Sequence, residues 1–153
     1  MLWKIVGLCA AVAVALLAIR GSTASDALTG PGIIRITDRV IAFSKVDVGA
    51  HGTSPGDLEI TRSILFNTRI TSKRLGTAEI VCTVTGGAAD SCTGTYVLPA
   101  GNIVVSGPIQ YRQFFQLAVV GGTGRYSNVR GTLTVTSLGR TPRRDVVYFR
   151  LLV

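Results

Sequence analysis

The sequence predicts an all-β protein, and three observations lead to that prediction. Beyond the N-terminal segment, no stretch keeps a helical hydrophobic periodicity over about eleven residues. Eight short runs rich in β-branched and aromatic residues follow one another instead. Many of the 18 glycines and five prolines fall between these runs, where turns end strand pairing. Eight antiparallel strands in one small domain favour a sandwich or a closed barrel, and the pattern alone does not choose between them.

The predicted strands can be placed along the chain from their alternation and from the turn residues between them. They cover residues 33–46, 58–68, 76–84, 93–98, 102–109, 113–120, 130–138 and 145–153. In the second strand Ile60, Ile64 and Phe66 are predicted to share one face, with Glu59 on the other. Arg62 interrupts the apolar face. The long loop 47–56 is expected to be a lid or a mouth element.

The third and fourth strands carry two cysteines, in the segment CTVTGGAADSC. Residues 85–89 are predicted to form the loop of a hairpin, which places Cys82 opposite Cys92 at a spacing that a disulfide can bridge. A structural disulfide is favoured over a pair of free redox or metal-binding thiols, because the CxxC spacing and a nearby histidine are missing. Such a short closed loop would contribute about 2–3 kcal/mol.

A glycine-rich segment, VVGGTGRYSNVRG, occupies positions 119–131 between two predicted strands. It lacks the Gly-Lys-Ser/Thr ending of a phosphate-binding loop, and no helical pattern follows it. It therefore predicts a tight β connection. Four glycines are interpreted as structural, permitting the turn and close packing: Gly121, Gly122, Gly124 and Gly131.

The first 24 residues have the pattern of a secretory signal peptide: a short positive start, an apolar run from Ile5 to Ile19, and small residues before a cut after Ala24. Residues 25–153 would then form the mature domain, in an oxidising compartment. The alternative is an uncleaved N-terminal membrane anchor, although the apolar run is shorter than a comfortable span of about 20 residues.

The charge of the chain limits the kind of partner that it can bind. The chain has 16 basic and 8 acidic residues, and loss of Lys4 and Arg20 with the leader lowers the net charge from +8 to about +6. The only dense basic run, residues 140–144, is interpreted as a solvated loop, with weak contact to anionic surface polymers as the alternative. Aromatic residues do not interleave with the basic ones, so no nucleic-acid partner is predicted.

With the strands placed, the segment 119–131 resembles the signature of the dirigent and allene oxide cyclase-like barrel proteins. LGTAEIVCTV at 75–84, TYVLPAGNIVVSG at 95–107 and VVYFRLLV at 146–153 are similar to further strands of that family. The secreted, cysteine-bridged form looks more like a bacterial branch. The resemblance implies an eight-stranded antiparallel closed barrel of calycin-like form, often trimeric, with a ligand cavity and no cofactor.

The resemblance also implies a function: steering the cofactor-free cyclisation or stereoselective coupling of a small hydrophobic intermediate. Such chemistry needs acid–base groups in an apolar pocket. The candidate catalytic residues are Glu79, Asp57 and Arg62, with Arg62 expected to pair with one of the two carboxylates inside the cavity. The candidate ligand-binding residues are Tyr96, Tyr148 and Glu59. Asp38, at an apparent strand break, is a further carboxylate within a strand region.

Two alternatives from other classes stay open at this point. One is a non-catalytic, lipocalin-like carrier of a hydrophobic ligand, and the other is a structural or defence protein with a filled barrel. A cavity with a buried carboxylate–Arg or carboxylate–Tyr pair would favour the enzyme. His51 is the only histidine and lies in a loop, so neither a metal site nor a Ser-His-Asp triad is predicted.

Overall fold

Eight strands follow one another around a closed antiparallel barrel, in which β8 returns to pair with β1. The computed structural model describes residues 28–30, 32–68, 73–140 and 143–153. The strands are β1 Gly32–Val46, β2 Leu58–Phe66, β3 Arg74–Thr83, β4 Asp90–Leu98, β5 Gly101–Ile109, β6 Phe114–Gly122, β7 Arg130–Arg140 and β8 Arg143–Leu152. The prediction of an all-β closed barrel is confirmed. The predicted signal peptide, residues 1–24, lies outside the described residues.

Alternation along each strand explains why the sheet closes on itself. In β4, Cys92, Tyr96 and Leu98 are buried inside the barrel, while Thr93 and Val97 are exposed outside. Because every second side chain of each strand points inward, the side chains from one face of the sheet fill the interior of the barrel. A closed barrel also leaves no open sheet edge along its paired length.

The barrel is tight at one end and splayed at the other. β1 pairs with β8 only up to Arg39 and then continues with β2 alone, after a register shift between Val40 and Ala42. β5 likewise pairs with β6 only from Ile103 to Ser106, so the ends of these two strands separate. Bulges of this kind bend strands and end pairing at barrel rims. The splayed end, with the loop 47–57 and the hairpin of β7 and β8, forms the mouth.

The alternation predicted for β2 is observed from Glu59 to Leu65, but the expectation that the apolar face with Arg62 lies inside the cavity is wrong. Glu59, Ser63 and Leu65 are buried, whereas Arg62 is exposed. The register explains this, since Ser63 pairs with Ala78, and Leu65 with Gly76, on the inner side of β3. The apolar residues Ile60 and Ile64 are half-buried on the outside, so hydrophobicity alone gave the wrong face.

The opposite end of the barrel is closed by the glycine-rich connection between β6 and β7. A single turn of 3-10 helix, Gly124–Tyr126, follows β6, and Tyr126 and Val129 are buried beneath it. A Cβ atom on Gly122 would lie 2.5 Å from the carbonyl oxygens of both Asn102 and Tyr126. The backbone can therefore pass there only without a side chain.

The predicted disulfide is confirmed. Cys82 and Cys92 are direct partners on β3 and β4, with their Cα atoms 4.0 Å apart. Both are almost completely buried in the barrel interior, so the bridge is part of the core. Within the part of the chain that the structure describes, no helix is long and apolar enough to cross a membrane.

Candidate functional site

Two carboxyl groups face each other inside the barrel near its mouth. Asp38 on β1 and Asp145 on β8 are register partners, so their side chains project from the same face of the sheet. Asp38 is 5% exposed and Asp145 is 3% exposed. Buried carboxylates are rare unless they are paired, and like charges on opposing residues destabilise a sheet. The pair is therefore a candidate for chemistry.

Burial and the neighbouring negative charge favour a proton on Asp38. The pKa of Asp38 is raised to about 7, first because burial removes water from the carboxylate and then because Asp145 is negatively charged. Arg143 and hydrogen bonds from the Asp145 backbone and from Ser63 act in the opposite direction. The pKa lies close to neutral pH, where a general acid or base works best.

Tyr96 supplies a phenol next to the acid pair. Its ring is fully buried and meets Phe149 edge to face, with the ring centres 5.0 Å apart. Burial, followed by the negative charges of Asp38 and Asp145, raises the pKa of Tyr96 well above its usual value. The hydroxyl group therefore stays protonated and can donate a hydrogen bond. Among the described residues it has no hydrogen-bond partner.

These groups line a small interior cavity of about 30 Å³, enough for roughly one water molecule. Its lining combines the acids and Tyr96 with hydroxyl, apolar and arginine side chains: Asp38, Thr61, Ser63, Ala78, Ile80, Tyr96, Ile109, Arg112, Phe115, Val135, Arg143 and Asp145. One oxygen of each acid, Oδ1, also has no hydrogen-bond partner within the described part of the chain. With the Nε of Arg143, four polar atoms of the lining residues have no hydrogen-bond partner among the described residues, which indicates a binding position for a polar group.

Arg143 stands between the acid pair and the mouth. Its Nε lies 3.4 Å from Oδ2 of Asp145, close enough for an ion pair but without the geometry of a hydrogen bond. Its Nη2 donates to the backbone carbonyl of Arg112 at 3.3 Å. Arg143 therefore partly neutralises the acids while reaching toward the rim.

The rim is held together by a network of ion pairs. Nη2 of Arg112 donates to Glu59 and, at 3.0 Å, to Asp90. Lys45 pairs with the other oxygen of Glu59 at 2.6 Å. These contacts tie β1, β2, β4 and the connection between β5 and β6 together at the point where the strands splay apart. A groove of about 430 Å³ opens outside this network and shares Arg112 and Arg143 with the interior cavity.

The predicted pairing of Arg62 with Glu79 is observed, but its predicted position inside the cavity is wrong. Nε of Arg62 donates to Oε2 of Glu79 at 2.6 Å on the outer surface, where the two side chains are 62% and 48% exposed. The cause is the face of β2, because Arg62 and Glu79 are register partners on the outward side. Their proposed catalytic roles receive no support from this location.

The other predicted site residues are spread over the molecule. Asp57 accepts hydrogen bonds from the backbone N–H groups of Val48 and Ser54, which lower its pKa and fix the loop before β2. Tyr148 is half-buried on the outer face of β8. Glu59 is buried at the mouth and is bound to the rim network. Tyr96 lines the interior cavity.

Sequence reasoning missed Asp145, Arg112 and Arg143 as functional candidates and did not select Asp38. The sequence did contain a sign that Asp145 is internal. It stands two and four residues before Val147 and Phe149, so all three side chains project from the same face of β8. In β1 the buried Ile36 and Asp38 likewise share parity. An acid in register with core residues is a better indicator of a barrel interior than an acid between apolar neighbours.

No group of three or more histidine, cysteine or acidic side chains among the described residues is placed to hold a metal ion.

Comparison with family models and with curated proteins gave no match. Comparison with solved structures gave clear matches. The chain is similar to "Pyocyanin demethylase", with 26% identity, a TM-score of 0.66, and 78% of this chain and 99% of that chain covered.

Two further solved structures share the architecture. The pterocarpan synthase dirigent protein GePTS1 is 14% identical with a TM-score of 0.61, covering 80% of this chain and 86% of its own. AbnU, described as an exo-specific intermolecular Diels-Alderase, is 13% identical with a TM-score of 0.61, covering 78% and 98%. This chain has the dirigent and cyclase barrel fold. The predicted resemblance in fold is confirmed, and the dirigent and cyclase barrel is a scaffold on which different chemistries occur.

Proposed function

We propose that this protein is a cofactor-free enzyme that binds a small hydrophobic molecule in its dirigent and cyclase barrel and steers its cyclisation to an isomer by proton transfer. The observation that carries the proposal is the buried, facing pair of Asp38 and Asp145 beside the unpartnered hydroxyl of Tyr96. A structural protein gains nothing from burying two acids, each with one oxygen unpartnered among the described residues, beside a phenol hydroxyl that also has no partner there.

The chemistry follows from the proton that the pair holds. With a pKa of about 7, Asp38 is present in both protonation states near neutral pH, so it can give a proton to a ligand atom and take one back. Tyr96 donates a hydrogen bond to a ligand oxygen, and Arg143 stabilises negative charge that develops there. The apolar walls, including Phe115 and Val135, exclude water and hold the ligand in one conformation.

The size of the cavity sets how a ligand is bound. About 30 Å³ accepts only the reacting end of a molecule, so the remainder has to lie in the adjoining groove of about 430 Å³. Arg112 and Arg143 border both spaces and must yield when a ligand passes between them. Arg112 and Asp90 are partly exposed, and Lys45 stays paired with the buried Glu59 when Arg112 moves, which limits the cost of this rearrangement.

The similar proteins support a small, largely apolar ligand. The names of two of them refer to a pterocarpan synthase and a Diels-Alderase, and the third is named for the demethylation of pyocyanin. A second candidate function is therefore demethylation of an aromatic molecule, which the most similar of these three by sequence favours.

We also propose that the protein is exported after cleavage behind Ala24, which the leader pattern and the Cys82–Cys92 disulfide support.

The test starts from the purified protein. Native mass spectrometry identifies any small molecule that co-purifies, and that molecule or its extractable precursor is then incubated with wild-type protein and with D38N. The proposal expects a product of unchanged mass but altered structure, formed by the wild type and reduced at least about a hundredfold in D38N, the scale of a lost general acid–base. E79Q is the matched control, because it neutralises an exposed acid on the outer surface.

Other outcomes separate the alternatives. A bound molecule that is returned unchanged by every variant would identify a carrier and contradict the enzyme. A product lighter by one carbon would favour demethylation over cyclisation. Loss of conversion in E79Q but not in D38N would restore the sequence-based site on the outer face.

A further inference from the structure

The groove outside the mouth has an unusual charge distribution. Six residues line it: Arg112, Gln113, Ser137, Leu138, Gly139 and Arg143. Two are arginines, and no acid is among them. Leu138 is 62% exposed and gives the groove an apolar surface next to the two guanidinium groups.

The acids that accompany these arginines do not line the groove. Asp145 lines the interior cavity, and Glu59 and Asp90 border neither space. Arg112 and Arg143 therefore separate the acids from the groove, and anything in the groove meets the positive side of each ion pair. The scattered excess of positive charge, +8 for the whole chain and about +6 without Lys4 and Arg20, acts in the same direction.

Both arginines have donors left for a ligand. Within the described part of the chain, Arg112 reaches both of its carboxylate partners through Nη2, and a guanidinium carries five N–H groups. The Nε of Arg143 is buried 3.4 Å from Oδ2 of Asp145, without a hydrogen bond among the described residues. Because Nε faces the acid, an anionic oxygen in the groove would meet the remaining N–H groups of this guanidinium, and Nε would report the change.

We propose that the groove is a subsite for an anionic group, so that the ligand of this barrel is a small aromatic or apolar acid carrying a carboxylate. The carboxylate binds Arg112 and Arg143, the apolar part lies against Leu138, and the reacting end points past the arginines to Asp38 and Tyr96. This inference rests on the proposed function for the direction in which the ligand lies. The anion subsite itself does not depend on turnover.

A pair of matched probes tests the subsite: 2-naphthoate, which carries a carboxylate, and 2-naphthamide, which has the same shape without the charge. Binding is measured by calorimetry and by the Nε–Hε resonances of arginine in ¹⁵N-labelled protein. We expect 2-naphthoate to bind about tenfold more tightly, the scale of one charge-assisted hydrogen bond, and to weaken as salt is added. It should also shift the Nε–Hε resonance of Arg143.

Variants assign the preference to the groove. R112Q should lose most of the preference for 2-naphthoate, while R74Q, which removes the same charge at the far end of the barrel, should keep it. Equal binding of the two probes by the wild type, or an unchanged preference in R112Q, would overturn the proposal. If R112Q does not fold, the Arg143 resonance of the wild type decides, and its failure to shift would overturn the proposal.

The same probes separate this inference from the proposed function. D38N should keep the preference for 2-naphthoate even when it cannot convert a ligand, because Asp38 does not line the groove. Conversion that depends on Asp38 without any preference for the carboxylate would leave the enzyme in place and remove the anion subsite.

Discussion

At the scale of single residues, the decisive feature is that Asp38 is buried beside a second acid, Asp145, and is not fully neutralised by a cation. The only cation near the pair, within the described residues, that lowers the pKa of Asp38 is Arg143, and burial together with Asp145 outweighs it. A carboxyl group in that balance keeps its proton close to neutral pH, as catalytic acids in apolar sites do. The free energy of unfolding should therefore depend on pH in the way that a raised pKa at Asp38 requires.

The pH dependence of stability provides the first prediction. Unfolded Asp38 ionises near 3.8 and folded Asp38 near 7, so between these values the folded state binds the extra proton and is stabilised by it. Stability from this group is complete below about pH 4 and is lost as the pH rises to about 7, by up to about 4 kcal/mol. Urea unfolding from pH 4 to pH 8 should show this loss in the wild type.

D38N removes the titrating group and serves as the comparison. Its free energy of unfolding should fall less than that of the wild type over the same range, and D38N should be the more stable protein at pH 8. Parallel pH profiles for the two proteins would contradict a raised pKa at Asp38. D57N is the matched control: it removes an acid whose pKa is lowered by its loop hydrogen bonds but keeps Asp38, so its stability should fall from pH 4 to pH 8 as that of the wild type does.

At the scale of elements, the connection between β6 and β7 and the bridge between β3 and β4 set the shape of the barrel. The connection closes the narrow end of the barrel through close backbone contacts. The disulfide links two neighbouring strands inside the core. Neither reaches the acid pair. Changes in both should therefore act on stability before they act on chemistry.

Two neighbouring glycines give a matched test of the connection. A Cβ on Gly122 would overlap two carbonyl oxygens at 2.5 Å, whereas a Cβ on Gly121 would meet only the end of the Arg130 side chain at 3.7 Å. We expect G122V to prevent folding or lower the thermal midpoint strongly, and G121A to stay within about 0.5 kcal/mol of the wild type. Near-wild-type thermal stability of G122V would show that the close approach is not needed.

Removal of the disulfide gives the second prediction at this scale. The bridge joins residues separated by 10 positions, and closing such a loop stabilises the folded chain by about 2–3 kcal/mol. The double variant C82A/C92A should lose at least this amount in urea unfolding, since it also leaves space in the core. A loss below about 1 kcal/mol would contradict a structural role for the bridge.

Sequence reasoning succeeded for the strands because glycine, proline and alternation act locally. All eight strands were placed within three residues of their observed starts, and the hairpin predicted around residues 85–89 brings the two cysteines together as expected. It failed for the faces of β2, where Glu59 and Ser63 point inward while Ile60 is outside. Which face is internal depends on register with β1 and β3, and that register is set by bulges the sequence does not reveal.

The site was harder to predict than the strands for the same reason. Asp38 looked like a strand break, yet it lies within a continuous β1, where its partner Asp145 is more than a hundred residues away along the chain. Arg112, in the connection between β5 and β6, reaches Glu59 and Asp90 across the mouth. Contacts of this range arise only when the barrel closes.

At the scale of the whole molecule, the resemblance implies a homotrimer, which stays a prediction. Ile41 and Val97 are about half-exposed and line a shallow outer groove of about 400 Å³ on the side of β1 to β4, an apolar surface that association would cover. Sedimentation of the mature protein should give three times the mass of one chain. A monomer across the accessible concentration range would contradict it, without consequence for the acid pair.

The proposed function depends on a proton held by Asp38 beside Asp145, and carboxyl ¹³C NMR titration of Asp38 measures that proton. We expect an apparent pKa of about 7 in the wild type. In D145N the pKa should be lower, since a repelling charge is gone, but still above 3.8, because burial is the larger cause. Titration of wild-type Asp38 near 4 would contradict this, since Asp38 would then be an ordinary charged group at neutral pH.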